Sequence, residues 1–152
     1  MKKTALVIGY GNELRGDDAI GQIIAKTIKS WNLNNVESLA VHQLTPELAA
    51  NLATVNLVIF VDACINSPSE DVQVKSILPS FDNAINGHIT NSRSLLALTQ
   101  TLYGCCPQAW LVSVPGINFE ISDSISSIAE NGIAIALNKI IQILDKYTKL
   151  WM

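Results

Sequence analysis

The sequence predicts an α/β fold: a three-layer αβα sandwich around a mostly parallel, twisted sheet of about five strands, with room for one antiparallel edge strand. Three observations predict it. Short apolar runs (ALVI, LVIFVD, AWLVSV) recur along the chain, the pattern of strands covered on both faces. Between and after them, apolar residues fall at helical spacing. The chain's 152 residues suffice for one domain, residues 1–152, burying about two thirds of its unfolded surface.

Taken in order, the first strand is Thr4–Ile8, running into glycines at positions 9, 11 and 16. A helix from Asp17 to Trp31 follows, with Ile20, Ile23, Ile24, Ile28 and Trp31 on one stripe. Val36–Val41 reads as the second strand. Thr45-Pro46-Glu47 then supplies a cap, a first-turn proline and a first-turn acid for a helix reaching Ala53. The third strand, Asn56–Asp62, ends on an aspartate. Asp71–Leu78 alternates polar and apolar residues and reads as a short edge strand whose direction the pattern leaves open. The polar segment Gly87–Asn91 precedes a helix with Leu95, Leu98 and Leu102 on its buried face. Ala109–Val114 is a buried strand ended by Pro115-Gly116. Ile125, Ile128, Ala129, Gly132, Ile133, Ala136, Leu137, Ile140 and Leu144 form the stripe of a long terminal helix.

Composition excludes several classes of function. With 49% hydrophobic and 15% charged residues the chain is globular rather than disordered. A net charge of -3, with no Lys/Arg run beyond Lys2-Lys3, lacks the electrostatic footprint of a nucleic-acid binder. No apolar stretch approaches the roughly 18 to 20 residues of a membrane span, and Met1-Lys2-Lys3 leads straight into a strand instead of a signal-peptide core. The expectation is a cytoplasmic protein with no nucleic-acid or membrane partner. Three cysteines, including the adjacent Cys105-Cys106, have no C-x-x-C spacing and read as reduced structural thiols.

In a parallel α/β sheet, loops leaving the carboxyl ends of the strands gather along one edge, and sites form there. Here that edge collects Gly9–Asp18, Asp62–Ser67, the loop holding His88, and Pro115–Glu120. The first turn is not a P-loop, because Asp17-Asp18 stand where a triphosphate needs Lys and Ser/Thr. It is not a dinucleotide fingerprint either, since Leu14 occupies the place of the third glycine. Carboxylates at this turn suit a cation. Each residue alone has an ordinary explanation: an acid at a helix start is a cap, Asp62 ends a turn, and His88 is a solvated loop histidine. Together, two carboxylates and an imidazole form an O, O, N set suited to a borderline divalent metal such as nickel, zinc or manganese.

These residues resemble the hydrogenase maturation endopeptidases, which trim a carboxyl-terminal extension from the large subunit of nickel-iron hydrogenases. The resemblance rests on ALVIGYGNELRGDDAIG, on LVIFVDA around Asp62, on GHITNSRSLLALTQTLYG around His88 and on PGINFEIS. It spans nearly the whole chain. It implies a metal-contacting trio of Asp18, aspartate where some members have glutamate, with Asp62 and His88. Asn12 and Asp17 become neighbours that orient the loop. It further implies nickel, supplied by the substrate and replaceable by another divalent transition metal, and as partner the precursor of a hydrogenase large subunit. Val41-His42-Gln43-Leu44-Thr45 departs from the glycine-threonine-rich turn of some members, leaving the preferred hydrogenase open and His42 as a substitute ligand or substrate contact.

The activity implied is a peptidase, with catalytic residues Asp17, Asp18, Asp62 and His88. A divalent ion polarises the scissile carbonyl and lowers the pKa of bound water, and a carboxylate such as Asp17 accepts the proton. A serine or cysteine route lacks a recognisable nucleophile spacing around Cys64, Ser92 or Ser94. A non-catalytic, nickel-sensing chaperone for the same client is the alternative. A large client favours a monomeric processing enzyme.

Overall fold

The computed structural model describes residues 5–65, 71–81 and 91–150. Its sheet has five strands in the order β2-β1-β3-β5-β4. They are β1 (Ala5–Tyr10), β2 (Val36–Val41), β3 (Leu57–Ile65), β4 (Gln73–Ile77) and β5 (Gln108–Gly116). β1, β2, β3 and β5 run parallel, and β4 pairs antiparallel with β5 at the edge. The alternating segment at 71–78 is thus the antiparallel edge strand.

Helices cover both faces. α1 (Ile20–Ser30) and α4 (Ser127–Leu150) lie on one, α2 (Leu48–Leu52) and α3 (Ser92–Tyr103) on the other. Because side chains alternate along a strand, β1 sends Ala5 and Val7 to the α1/α4 core and Leu6 and Ile8 to the α2/α3 core. The same division in β3 puts Leu57, Ile59 and Val61 on the first side and Val58 and Phe60 on the second. All five are fully buried, which is why LVIFV reads as a continuous apolar run.

Several boundaries differ from the sequence expectation. β1 continues two residues past Ile8 to Tyr10, and β3 continues past Asp62 to Ile65, paired with β5 as far as Gly116. Neither Asp62 nor Pro115 ends its strand, because the ladder between these two strands persists where local sequence has already turned polar. α2 has only five residues, as Thr45 and Pro46 accept backbone bonds in turns ahead of it instead of capping it. In α3 the buried face holds Leu95, Leu96 and Thr99, while Leu102 is 61% exposed. The terminal stripe stands as expected, with Ala129, Ala136, Ile140 and Leu144 in the core.

No helix among the described residues is long and apolar enough to cross a membrane. The three cysteines are free thiols.

Candidate active site

Going outward from β1, the sheet order places β2 on one side and β3 on the other, so the loops leaving β1 and β3 diverge at this point. Such a switch point is where ligands bind in open α/β sheets. Its β1 arm is shaped by glycines. A Cβ on Gly9 would meet the Gly21 carbonyl of α1, so the bare position lets the helix lie close against the strand. Gly11 has φ +147°, and a Cβ there would meet the Asp18 carbonyl.

Asp17 and Asp18 sit in a 3-10 turn, Gly16–Ala19, ahead of α1, not in the helix proper as the sequence suggested. Adjacent residues on so tight a turn point apart, and the two acids have different surroundings. Asp17 is fully buried. Its Oδ2 accepts from the Ile117 and Asn118 backbone amides at 2.8 and 3.1 Å and from the Ser126 hydroxyl at 2.7 Å; its Oδ1 accepts from the Ser126 amide at 2.9 Å. Desolvation works against its charge, but the bonds from Ser126, Ile117 and Asn118 together outweigh it and hold the carboxyl below its ordinary range. Asp17 is thus an anchor for the β5–α4 loop. Both oxygens are engaged by protein donors, so the geometry supports the loop-orienting reading and gives no support to Asp17 as acceptor of a water proton.

Further bonds lace the two loops together. Gly16 and Asp17 amides donate to Ser122 and Asn118 carbonyls at 2.9 and 2.7 Å, the Ser122 amide returns to Leu14 at 2.9 Å, and Arg15 Nε reaches the Phe119 carbonyl at 3.0 Å.

Asp18 is half-buried at the loop edge, its Oδ2 accepting the Asn12 amide at 2.9 Å. Asn12 in turn folds its own side chain over the Leu14 amide at 2.9 Å. Asn12 therefore orients the loop, as the resemblance implied.

Asp62 lies across the switch point. Burial, and then the charge of Asp18, push its carboxyl up to about 6, against the opposing hydrogen bonds from Tyr10 and the Ala63 amide. Asp18 thus lies near enough for its charge to be felt at Asp62, across the switch point from it. Oxygen donors of this kind fit a divalent metal, and Asp18 and Asp62 are the residues that would hold one.

The third expected ligand, His88, lies outside the described residues. Among the described residues no three His, Cys, Asp or Glu side chains group closely enough to hold an ion. His42 is exposed just beyond β2, and Cys64 donates weakly to the Ile65 carbonyl at 3.7 Å. Ser92 and Ser94 are buried at the start of α3, as expected of helix-start residues and not of nucleophiles.

Two residues of the site escaped the sequence reading. Burial, and then the charge of Asp62, raise the Tyr10 hydroxyl well above its ordinary value, and a strand ended at Ile8 hid its place beside that carboxylate. Ser126 carried no local signal, since its partner Asp17 stands 109 positions away.

No protein-family model matches the sequence, and no curated protein matches it. Solved structures do match the fold. Hydrogenase maturating endopeptidase HybD of E. coli aligns over 94% of this chain and 93% of its own at 22% identity, with a TM-score of 0.76. An endopeptidase from Escherichia coli, solved in solution, aligns over the same shares at 24% identity and a TM-score of 0.76. The [NiFe] hydrogenase maturation protease HycI of Thermococcus kodakarensis KOD1 aligns over 95% and 94% at 21% identity, with a TM-score of 0.74. Over nearly its whole length, then, this chain has the fold of the hydrogenase maturation endopeptidases.

Proposed function

We propose that the chain is a hydrogenase maturation endopeptidase, which removes a carboxyl-terminal extension from the nickel-loaded precursor of a [NiFe]-hydrogenase large subunit. The observation carrying this reading is the fold, shared over nearly the whole chain with known maturation proteases; it is supported by two acids, Asp18 and Asp62, on the loops that leave the switch point, with the charge of Asp18 felt at Asp62. In this account Asp18 and Asp62 contact the nickel that the client brings, and His88 joins them on the strength of the sequence resemblance. The ion supplies Lewis acidity at the scissile carbonyl and an acidified water.

The protein's own residues bind and orient. Asn12 fixes Asp18 through its amide. Asp17 fastens the loop of residues 117–126 beside the site. Asp18 and Asp62, both half-buried, are the carboxylates left to exchange a proton with water. The protein acts as a monomer in the cytoplasm, on a folded client, with neither nucleic acid nor membrane as partner.

The test is incubation of the purified protein with nickel-loaded precursor, followed by intact mass measurement. Loss of a terminal peptide supports the reading. Uncut precursor held in a stable complex would instead assign the chain to nickel-sensing binding without catalysis.

A further inference from the structure

Leu14, Ile117 and Ile121 are 72%, 65% and 88% exposed, yet the backbone that carries them is tied down. The loop of residues 11–18 and the loop of residues 117–126 meet in a parallel bridge between Arg15 and Ser122. There the Ser122 amide donates to the Leu14 carbonyl and the Gly16 amide to the Ser122 carbonyl, both at 2.9 Å. Leu14 and Ile121 each immediately precede a bridge partner, so the bridge sets them side by side. Ile117 is fixed at the base of the second loop, its amide donating to the buried Asp17 carboxylate at 2.8 Å. Large aliphatic side chains left in water on one fastened frame are the mark of an interaction site. A frame already ordered also lowers the entropy lost on binding.

The patch is continuous with the acidic edge. The Asn12 amide donates to Asp18, and the Asn12 side chain accepts the Leu14 amide, both at 2.9 Å. Leu14 stands four positions before Asp18. Their Cα atoms are therefore at most about 14 Å apart, the reach of about four residues of extended peptide. Charge narrows the occupant further. Residues 116–126 carry Glu120 and Asp123 and no lysine or arginine. Across from them Glu13 is paired with Lys26 at 2.7 Å, and Arg15 Nε is engaged by the Phe119 carbonyl. Such a surface favours an apolar segment that is not acidic.

Resting on the reading that Asp18 stands at the cutting site, we propose that Leu14, Ile117 and Ile121 seat the client's chain beside the scissile bond, gripping apolar, non-acidic residues within about four positions of it. The three side chains touch the substrate and not the reacting atoms, so they set which chain is cut and leave the chemistry to the acids.

Leu14→Ser and Ile121→Ser, made together, remove two exposed side chains and leave the backbone bridge and the Asp17 bonds in place. The expected result on nickel-loaded precursor is a rise of about tenfold or more in KM, with kcat little changed and the thermal melt close to wild type. A second precursor, its apolar residues within four positions of the cut replaced by serine, should show the same rise with the wild-type protein. The double variant should add little to it, because both changes remove one contact. A double variant with the KM of wild type, or losses that add in full, overturns this seating and leaves the proposed function intact. Wild-type protein that self-associates, with a double variant that is monomeric and unchanged in KM, overturns it in favour of a second copy of this chain. A wild-type protein that leaves the precursor uncut overturns the proposed function, and this surface with it.

Discussion

Asp17 and Ser126 stand 109 positions apart and are joined twice, by the Ser126 amide at 2.9 Å and its hydroxyl at 2.7 Å. The Ser126 hydroxyl also accepts the Ala129 amide at 3.1 Å, so one serine both starts α4 and closes the loop onto Asp17. Asp17→Asn should therefore be costly, since an amide turns a donor toward donors. The expected loss is about 3 kcal/mol, or about 6–12 °C in Tm, measured by chemical and thermal denaturation. Ser126→Ala should cost about 1 kcal/mol.

The two buried-edge aspartates respond to pH in opposite senses. Asp17 has a depressed carboxyl, so its stabilisation is present above the ordinary aspartate range and is lost as pH falls through its lowered value. Asp62 is raised from 3.8 to about 6, so the fold prefers it protonated. Its favourable contribution is complete below about 4 and is lost as pH rises through about 6. Asp62→Asn should accordingly stabilise the metal-free protein at pH 8 by roughly 1–3 kcal/mol relative to wild type, with the advantage vanishing near pH 4. Melting curves of both proteins across that range measure it. A variant more stable yet unable to process precursor marks Asp62 as present for chemistry and not for folding.

Close packing of α1 on β1 depends on the absence of side chains. Gly9→Ala would drive a methyl into the Gly21 carbonyl and the Ala25 side chain, and neither can retreat without shifting the helix. The expected cost is about 1–3 kcal/mol, read from denaturant unfolding. Because Asp18 sits at the amino-terminal approach to that helix, processing should fall as well.

The buried face of α3 gives a paired comparison. Leu95→Ala removes a fully buried side chain and should cost about 2–5 kcal/mol, whereas Leu102→Ala removes an exposed one and should stay within about 0.5 kcal/mol.

These residues also show what could be read in advance. The strands of the buried sheet and the α4 stripe were legible because burial on two faces, or on one helical face, leaves a period in the sequence. The place of Asp18 and Asp62 on the loop edge of the sheet was legible, because a buried apolar run that turns polar marks where a strand leaves the core. Leu102 misled because leucines at 95, 98 and 102 match a helical period, while the real contact surface is rotated toward Leu96 and Thr99. The anchoring of Asp17 was not legible, because nothing nearby in sequence announces donors from residues 117, 118 and 126. Tyr10 was hidden by a strand boundary that pairing with β2 extends.

The central claim is that Asp18 and Asp62, with His88, meet around one divalent ion. Anomalous diffraction at the nickel edge from crystals grown with Ni2+ tests it most directly. The account predicts a single peak within about 2.0–2.3 Å of a carboxylate oxygen from each aspartate and of a His88 ring nitrogen. A peak bonded elsewhere, as at His42, or no peak beside this pair in protein that cuts its precursor, would contradict it.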